Sequence, residues 1–201
     1  ISMITDICTL DQSLAGVENA LALTEKCAAY CALSPRQTLQ LRLLAEELLG
    51  MMRGILGNYD AQFYLESNEK DITIRLRAHA DMDIPESERK KIVEVSTSGE
   101  NLAYRGVMGK VRKLLECGMF GGQECLAAAG GLMFTGVEYD TYMMPNEWSL
   151  KRYMDTISAL QDKASQQWDE LEKSIVANLA DDVTVGVHAD VAEVNIRKNF
   201  A

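Results

Sequence analysis

The apolar positions change period several times along the chain, and each change marks an element. Between residues 3 and 10, Ile4, Ile7, Cys8 and Leu10 stand among Ser and Thr, which predicts a first or edge strand. Asp11 suits a helix cap, and Leu14, Val17, Leu21, Ala28 and Cys31 mark one face of a helix running to Leu33. Ser34 and Pro35 open a second helix, with Pro35 at the first helical position and Gln37 closing a reciprocal capping box on Ser34. In it Leu41, Leu44, Leu48, Met52 and Ile55 recur at steps of three and four, so one face lies on a core. Gly57-Asn58 suits a left-handed turn at its end.

The period then falls to two. Phe63 and Leu65, a polar turn over 67–70, and Ile72, Ile74, Leu76 and Ala78 predict a hairpin. Pro85 to Val95 is charged and reads as a helix anchored by Ile84, Ile92 and Val95, and a further helix is expected over Val111 to Cys117. From Met119 to Thr141 the chain is rich in Gly, Ala and Met, which predicts a short buried helix between Gly121-Gly122 and Gly130-Gly131. Met119, Met133, Met143 and Met144 either fill a core or form an adaptable contact surface.

From Glu147 or Trp148 to about Leu179, the seam Leu150, Met154, Ile157, Ala164, Trp168, Leu171 and Ile175 predicts one long helix, packed across a sheet or paired with a second subunit. A closing hairpin follows, with Val183, Val185 and Val187 on one strand, a turn at Ala189-Asp190 beside an exposed His188, and Ala192, Val194 and Ile196 on the other. Together these elements describe an α/β two-layer sandwich: a mixed sheet of about five strands, covered on one face by about six helices, in a single domain spanning 1–201.

Composition narrows the classes of partner. An apolar share of 47% supports a proper core, and 30 acidic against 20 basic residues give a net charge of −10. That charge opposes nucleic acid and anionic membrane surfaces. The uncharged run from Cys125 to Val137 is too short and too rich in glycine to span a bilayer, and the N-terminus does not resemble a secretory signal. The five cysteines are not spaced as a disulfide framework, so a reducing, cytoplasmic setting is expected. Cys27 and Cys31 lie one helical turn apart; they read as small core residues or as a pair able to share a metal.

The candidate chemistry begins at Glu46-Glu47 in the second helix. Glu47 falls at the margin of the apolar face, where a carboxylate finds water, a partner or a ligand. As an ordinary feature the two acids are boundary residues of a core helix. The run around them nevertheless resembles the N-box helix of the histidine-kinase-like (GHKL) ATPases, the superfamily of the anti-sigma-factor serine kinases and gyrase B. In that family a glutamate orients the attacking water and an asparagine one turn on holds magnesium. The resemblance gives the glutamate's role to Glu47 and the asparagine's place to Met51. A thioether is a poor ligand for magnesium, so the resemblance implies binding of ATP or ADP without a well-held metal, unless Glu46 or Asn101 supplies the missing oxygen.

The order strand, helix, helix, strand, strand also matches the family's N-terminal half. After the second strand of the hairpin, Asp81 takes the position of the family's adenine-binding aspartate, although both glycines of that box are missing and Met82 and Asp83 carry Cβ atoms where the backbone approaches the base; as an ordinary feature this is a polar turn that caps the helix near Pro85. The stretch containing Ser98, Gly99, Asn101, Gly106, Gly109 and Lys110 is similar to the family's lid and second glycine box. Its amides, ahead of the expected helix and next to a lysine, suit an anion, or else form an ordinary glycine-rich loop. It is not a Walker A loop, because Tyr104 and Val111 occupy defining positions. Residues around 85–146 form a divergent lid or insertion. Two functions follow: a nucleotide-binding signalling protein with little or no ATPase activity and Glu47 as its residual catalytic group, or a catalytically dead module on the same fold that binds a protein or a small anion. A homodimer fits either.

Overall fold

Strict alternation sets the centre of the molecule. In the computed structural model, which describes residues 2–10, 14–53, 59–80, 85–97, 106–121, 147–159, 165–188 and 191–201, β3 (Tyr59–Asn68) and β4 (Asp71–Ala80) form a hairpin. Its register pairs Phe63 with Leu76 and Leu65 with Ile74. Beside β4 lies β7 (Val191–Asn199), which in turn pairs with β6 (Asp182–His188). Phe63, Leu65, Ile72, Ile74, Leu76, Val183, Val185, Val194 and Ile196 are buried and share the face that carries the helices.

The other face is polar and cross-linked. Arg75 reaches Glu66 at 2.7 Å and Asn195 at 3.1 Å, and Arg197 meets Asp71 at 2.6 Å. One covered and one wet face is the two-layer arrangement that the period of two implies.

Seven strands take part among the described residues, in the order β1-β3-β4-β7-β6-β5, with β2 also on β3. Every pairing is antiparallel, so the sheet is neither mixed nor limited to five strands. The expected first strand is split into β1 (Ser2–Ile4) and β2 (Cys8–Leu10). Ile4 faces Glu66 while Cys8 faces Phe63, so three residues of this edge oppose two of β3, as in a bulge. Thr5 bridges the gap through its amide to the Leu65 carbonyl and its hydroxyl from the Leu65 amide.

Helices α1 (Leu14–Tyr30) and α2 (Pro35–Arg53) pack together, and α1 also lies over β2 and β3. The first ends in a Schellman motif: the Leu33 amide bonds the Ala28 carbonyl, the Ala32 amide bonds Ala29, and Ala32 adopts φ +49°. Then come α3 (Glu86–Thr97) and α4 (Gly106–Glu116), the latter continuing into a π-helical turn over Cys117–Gly121. There a Cβ on Gly118 would stand 2.7 Å from a Val187 methyl, so close approach to the sheet requires glycine. The helix expected from Val111 therefore begins a turn and more earlier, at Gly106 with φ +70°.

The long helix expected from 147 to 179 is not continuous. Glu147–Ser149 is a short strand, β5, on the edge of β6, followed by α5 (Leu150–Ala159), α6 (Ser165–Glu172) and α7 (Ile175–Leu179). Two caps mark the starts of α5 and α7. Ser149 Oγ donates to Asp182 at 3.0 Å, and that carboxylate also accepts from the Lys151 amide at the start of α5. Ser174 accepts from the Ala177 amide at 3.2 Å and restarts the chain as α7, which shifts the phase so that Val176 is buried and Ile175 is exposed.

Cys8, Cys27 and Cys31 are free and buried, whereas Cys117 is disulfide-bonded to a partner outside the described residues. The expectation of thiols throughout thus fails at Cys117. Burial, together with the charge of Cys31 and a hydrogen bond to it, pushes the Cys27 thiol up to about 12. The expected turns at Gly57-Asn58 and Ala189-Asp190 and almost all of 119–141 lie outside the described residues. No helix among the described residues is long and apolar enough to cross a membrane.

Candidate functional site

Helix α2 starts as its residues dictate. The Ser34 amide donates to Gln37 Oε1 at 2.9 Å, the Gln37 amide approaches Ser34 Oγ at 3.4 Å, and the Gln37 side chain also bonds the Phe200 carbonyl at 3.0 Å. Leu41, Leu44, Ala45, Leu48, Leu49 and Met52 are fully or nearly fully buried. That stripe leaves two flanks, and the adjacent glutamates fall on different ones.

On one flank Arg42 lies between Glu46, at 2.8 Å, and Glu25 of α1, so this edge is knitted to α1. Hydrogen bonds donated to Glu46 and Glu25 raise the Arg42 guanidinium above its ordinary range. Glu46 is therefore spoken for. The other flank carries Gln40, Glu47 and Met51, all half-buried, at helical steps of seven and four. Glu47 lies about 140° around the axis from Arg42. It forms no hydrogen bond or ion pair with any described residue. Met51 packs against the apolar core. Besides α1, both α4 and α7 pack on α2.

In α4, Val107 and Gly109 are buried and Gly106 opens the helix, so Gly109 is an interior residue rather than part of a preceding loop. Lys110 was expected to meet an anion. Its ammonium instead lies 2.7 Å from Glu170 on α6 and 2.9 Å from the hydroxyl of Tyr153 on α5. Desolvation, the largest single influence, lowers its pKa, but Glu170 and Tyr153 together outweigh it and hold the lysine above its ordinary range. An incoming anion would compete with a carboxylate already in contact.

Tyr153 also lies 6.1 Å from Trp148 in a tilted ring contact, and the buried indole nitrogen of Trp148 has no hydrogen-bond partner among the described residues. Farther along α4, Arg112 pairs at 2.9 Å with Glu116, which is almost wholly buried. Asp81, Ser98, Gly99 and Asn101 lie outside the described residues.

The site residues thus divide. Glu47 and Met51 share a flank of the helix on which α4 packs; Glu46 is turned to α1, and Lys110 is tied to α5 and α6. Tyr153 and Glu170 were missed in the sequence. Tyr153 stands at the third step from Leu150, a seam position, but one continuous helix over 147–179 would have kept Glu170 several turns away from it.

No group of three or more His, Cys, Asp or Glu among the described residues is placed to hold a metal ion. A cavity of about 560 Å³ lies away from Glu47, at the end of α1 beside the β3–β4 turn. Comparison with protein-family models, curated proteins and solved structures gives no match.

Proposed function

We propose that the chain is a divergent nucleotide-binding signalling protein of the histidine-kinase-like ATPase kind, with little or no ATPase activity. The observation that carries this reading is the contrast on α2: Glu46 is paired, while Glu47 stands unpartnered among the described residues on the flank away from α1. The order strand, helix, helix, hairpin supports it, as does the packing of α4 on α2. Asp81 and the stretch containing Ser98, Gly99 and Asn101 complete the nucleotide site in this reading. Met51 offers no oxygen one turn from Glu47, so ATP or ADP binds weakly, magnesium adds little, and turnover is negligible. A cytoplasmic setting belongs to the same reading; the three free thiols favour it and the Cys117 disulfide stands against it.

A second reading, a catalytically dead module on this fold that binds a protein or a small anion, draws on the neutralisation of Lys110 by Glu170. Thermal melts with ATP, ADP, GTP and inorganic phosphate, each with and without magnesium, separate the two. The first reading requires stabilisation by an adenine nucleotide beyond that given by phosphate; a ligand at a hundredfold over its Kd adds about 2.7 kcal/mol. Equal shifts with ATP and phosphate favour the anion-binding module, and no shift with any of them refutes nucleotide binding.

A further inference from the structure

Cys27 in the last turn of α1 and Cys31, one residue past its end, are two thiols that the nucleotide reading does not use. Cys27 and Cys31 are four residues apart, so their side chains lie one above the other on the same helix face. Both are free thiols, and the Cys31 amide bonds the Cys27 carbonyl at 3.0 Å, which carries the helical geometry through to Cys31. Cys31 also forms part of the wall of the 560 Å³ cavity, with Tyr30, Ala32, Glu69, Lys70 and Asn199. Cys31 therefore borders open space, although it is a buried residue. Lys70 brings a cation to the same cavity and makes no ion pair with any described residue.

The donor set restricts the ligand. Structural zinc takes four ligands and calcium or magnesium takes oxygens, but no third metal-ligating side chain among the described residues joins the pair. Two thiolates suffice for a soft d10 monovalent cation, and thiolate is the ligand type that selects Cu(I). We propose that Cys27 and Cys31 form a two-sulfur site for a soft monovalent metal ion of the Cu(I) class, entered through the cavity at the end of α1. Binding breaks two S–H bonds and forms two S–Cu bonds, releasing two protons to solvent, with no change in oxidation state. The resulting bis-thiolate complex carries one negative charge, which the Lys70 ammonium offsets.

The test is a titration of the full chain with Cu(I), kept reduced by ascorbate, against a coloured Cu(I) chelator. Wild type should hold one equivalent that is lost in Cys27→Ser and in Cys31→Ser and kept in Cys8→Ser. Lys70→Glu should keep the stoichiometry and weaken binding about tenfold, the direction expected for a neighbouring counter-charge replaced by a like charge. Should Cys27→Ser fail to fold, Cys31→Ala at the cavity wall and loss of the sulfur-to-copper absorption band decide the matter. An equivalent retained in the Cys31 variants, or no copper held by wild type, overturns the proposal.

Discussion

The two flanks of α2 carry neighbouring glutamates and satisfy them differently. Toward α1, a carboxylate–guanidinium–carboxylate chain links Glu25, Arg42 and Glu46 at the surface. On the other side a half-buried carboxylate at Glu47 lies next to a thioether at Met51, with no partner among the described residues. The first arrangement needs nothing further, because both carboxylates meet the Arg42 guanidinium. The second leaves the Glu47 carboxylate to water or a ligand. Adjacency in sequence says little about environment: one residue turns a helix by about 100°.

The comparison holds only if the stripe between the flanks is a true core, and this gives the largest expected effect. Leu48 is wholly buried, so Leu48→Ala should cost about 2–5 kcal/mol in denaturant melts. A loss under about 0.5 kcal/mol, the level of an ordinary surface change, would show the helix turned otherwise and void the distinction between its edges.

Next comes Lys110, the residue whose partners most changed the picture of the second flank. Removing it strands Glu170 and the Tyr153 hydroxyl, and Lys110→Ala should cost about 1.5–3 kcal/mol without any ligand present. Its pKa is raised in the folded state, so its contribution is intact below the ordinary lysine value of 10.5 and fades as pH rises through the higher folded value. Urea melts from neutral to strongly alkaline pH should therefore fall less steeply in Lys110→Ala than in wild type. Unchanged alkaline behaviour would argue that Glu170 does not hold this lysine.

A smaller loss, about 1 kcal/mol, is expected for Ser34→Ala, because the capping box fixes the start of α2 and hence the rotation of both flanks. Smallest are the glutamates themselves. Glu47→Gln should leave ligand-free stability within about 0.5 kcal/mol, since no described partner is lost. Glu46→Gln should break the link to Arg42 and remove the part of that guanidinium's raised pKa that Glu46 supplies. A pronounced ligand-free destabilisation by Glu47→Gln alone would mean that Glu47 has a partner after all.

Much of the fold was legible because its signals were local and periodic. The alternation in 61–65, 72–78 and 192–196 identified the central strands and their buried face, and the Ser34-Pro35-x-Gln37 box located the start of α2. The register of the edge was not legible. Three residues around Thr5 opposite two of β3 are a tertiary choice, made by side-chain and backbone bonds to Leu65.

The break of the expected long helix was hidden for another reason: Ser149 and Ser174 act as caps through partners that include Asp182, 33 residues from Ser149. At the candidate site, Glu47 was visible as an acid on the margin of an apolar stripe. The capture of Lys110 by Glu170 joins residues 60 apart, a tertiary contact that no local periodicity signals.

The central claim is that Glu47 and Met51 face a nucleotide whose magnesium site has lost its amide. Met51→Asn restores that amide, and melts of wild type and variant with ATP, with and without magnesium, measure the result directly. The account predicts a modest ATP shift in wild type that magnesium leaves almost unchanged, and in Met51→Asn a larger shift that appears only when magnesium is added. Magnesium-dependent ATP turnover by wild type that Glu47→Ala abolishes, or a Met51→Asn variant whose ATP response ignores magnesium, would contradict it.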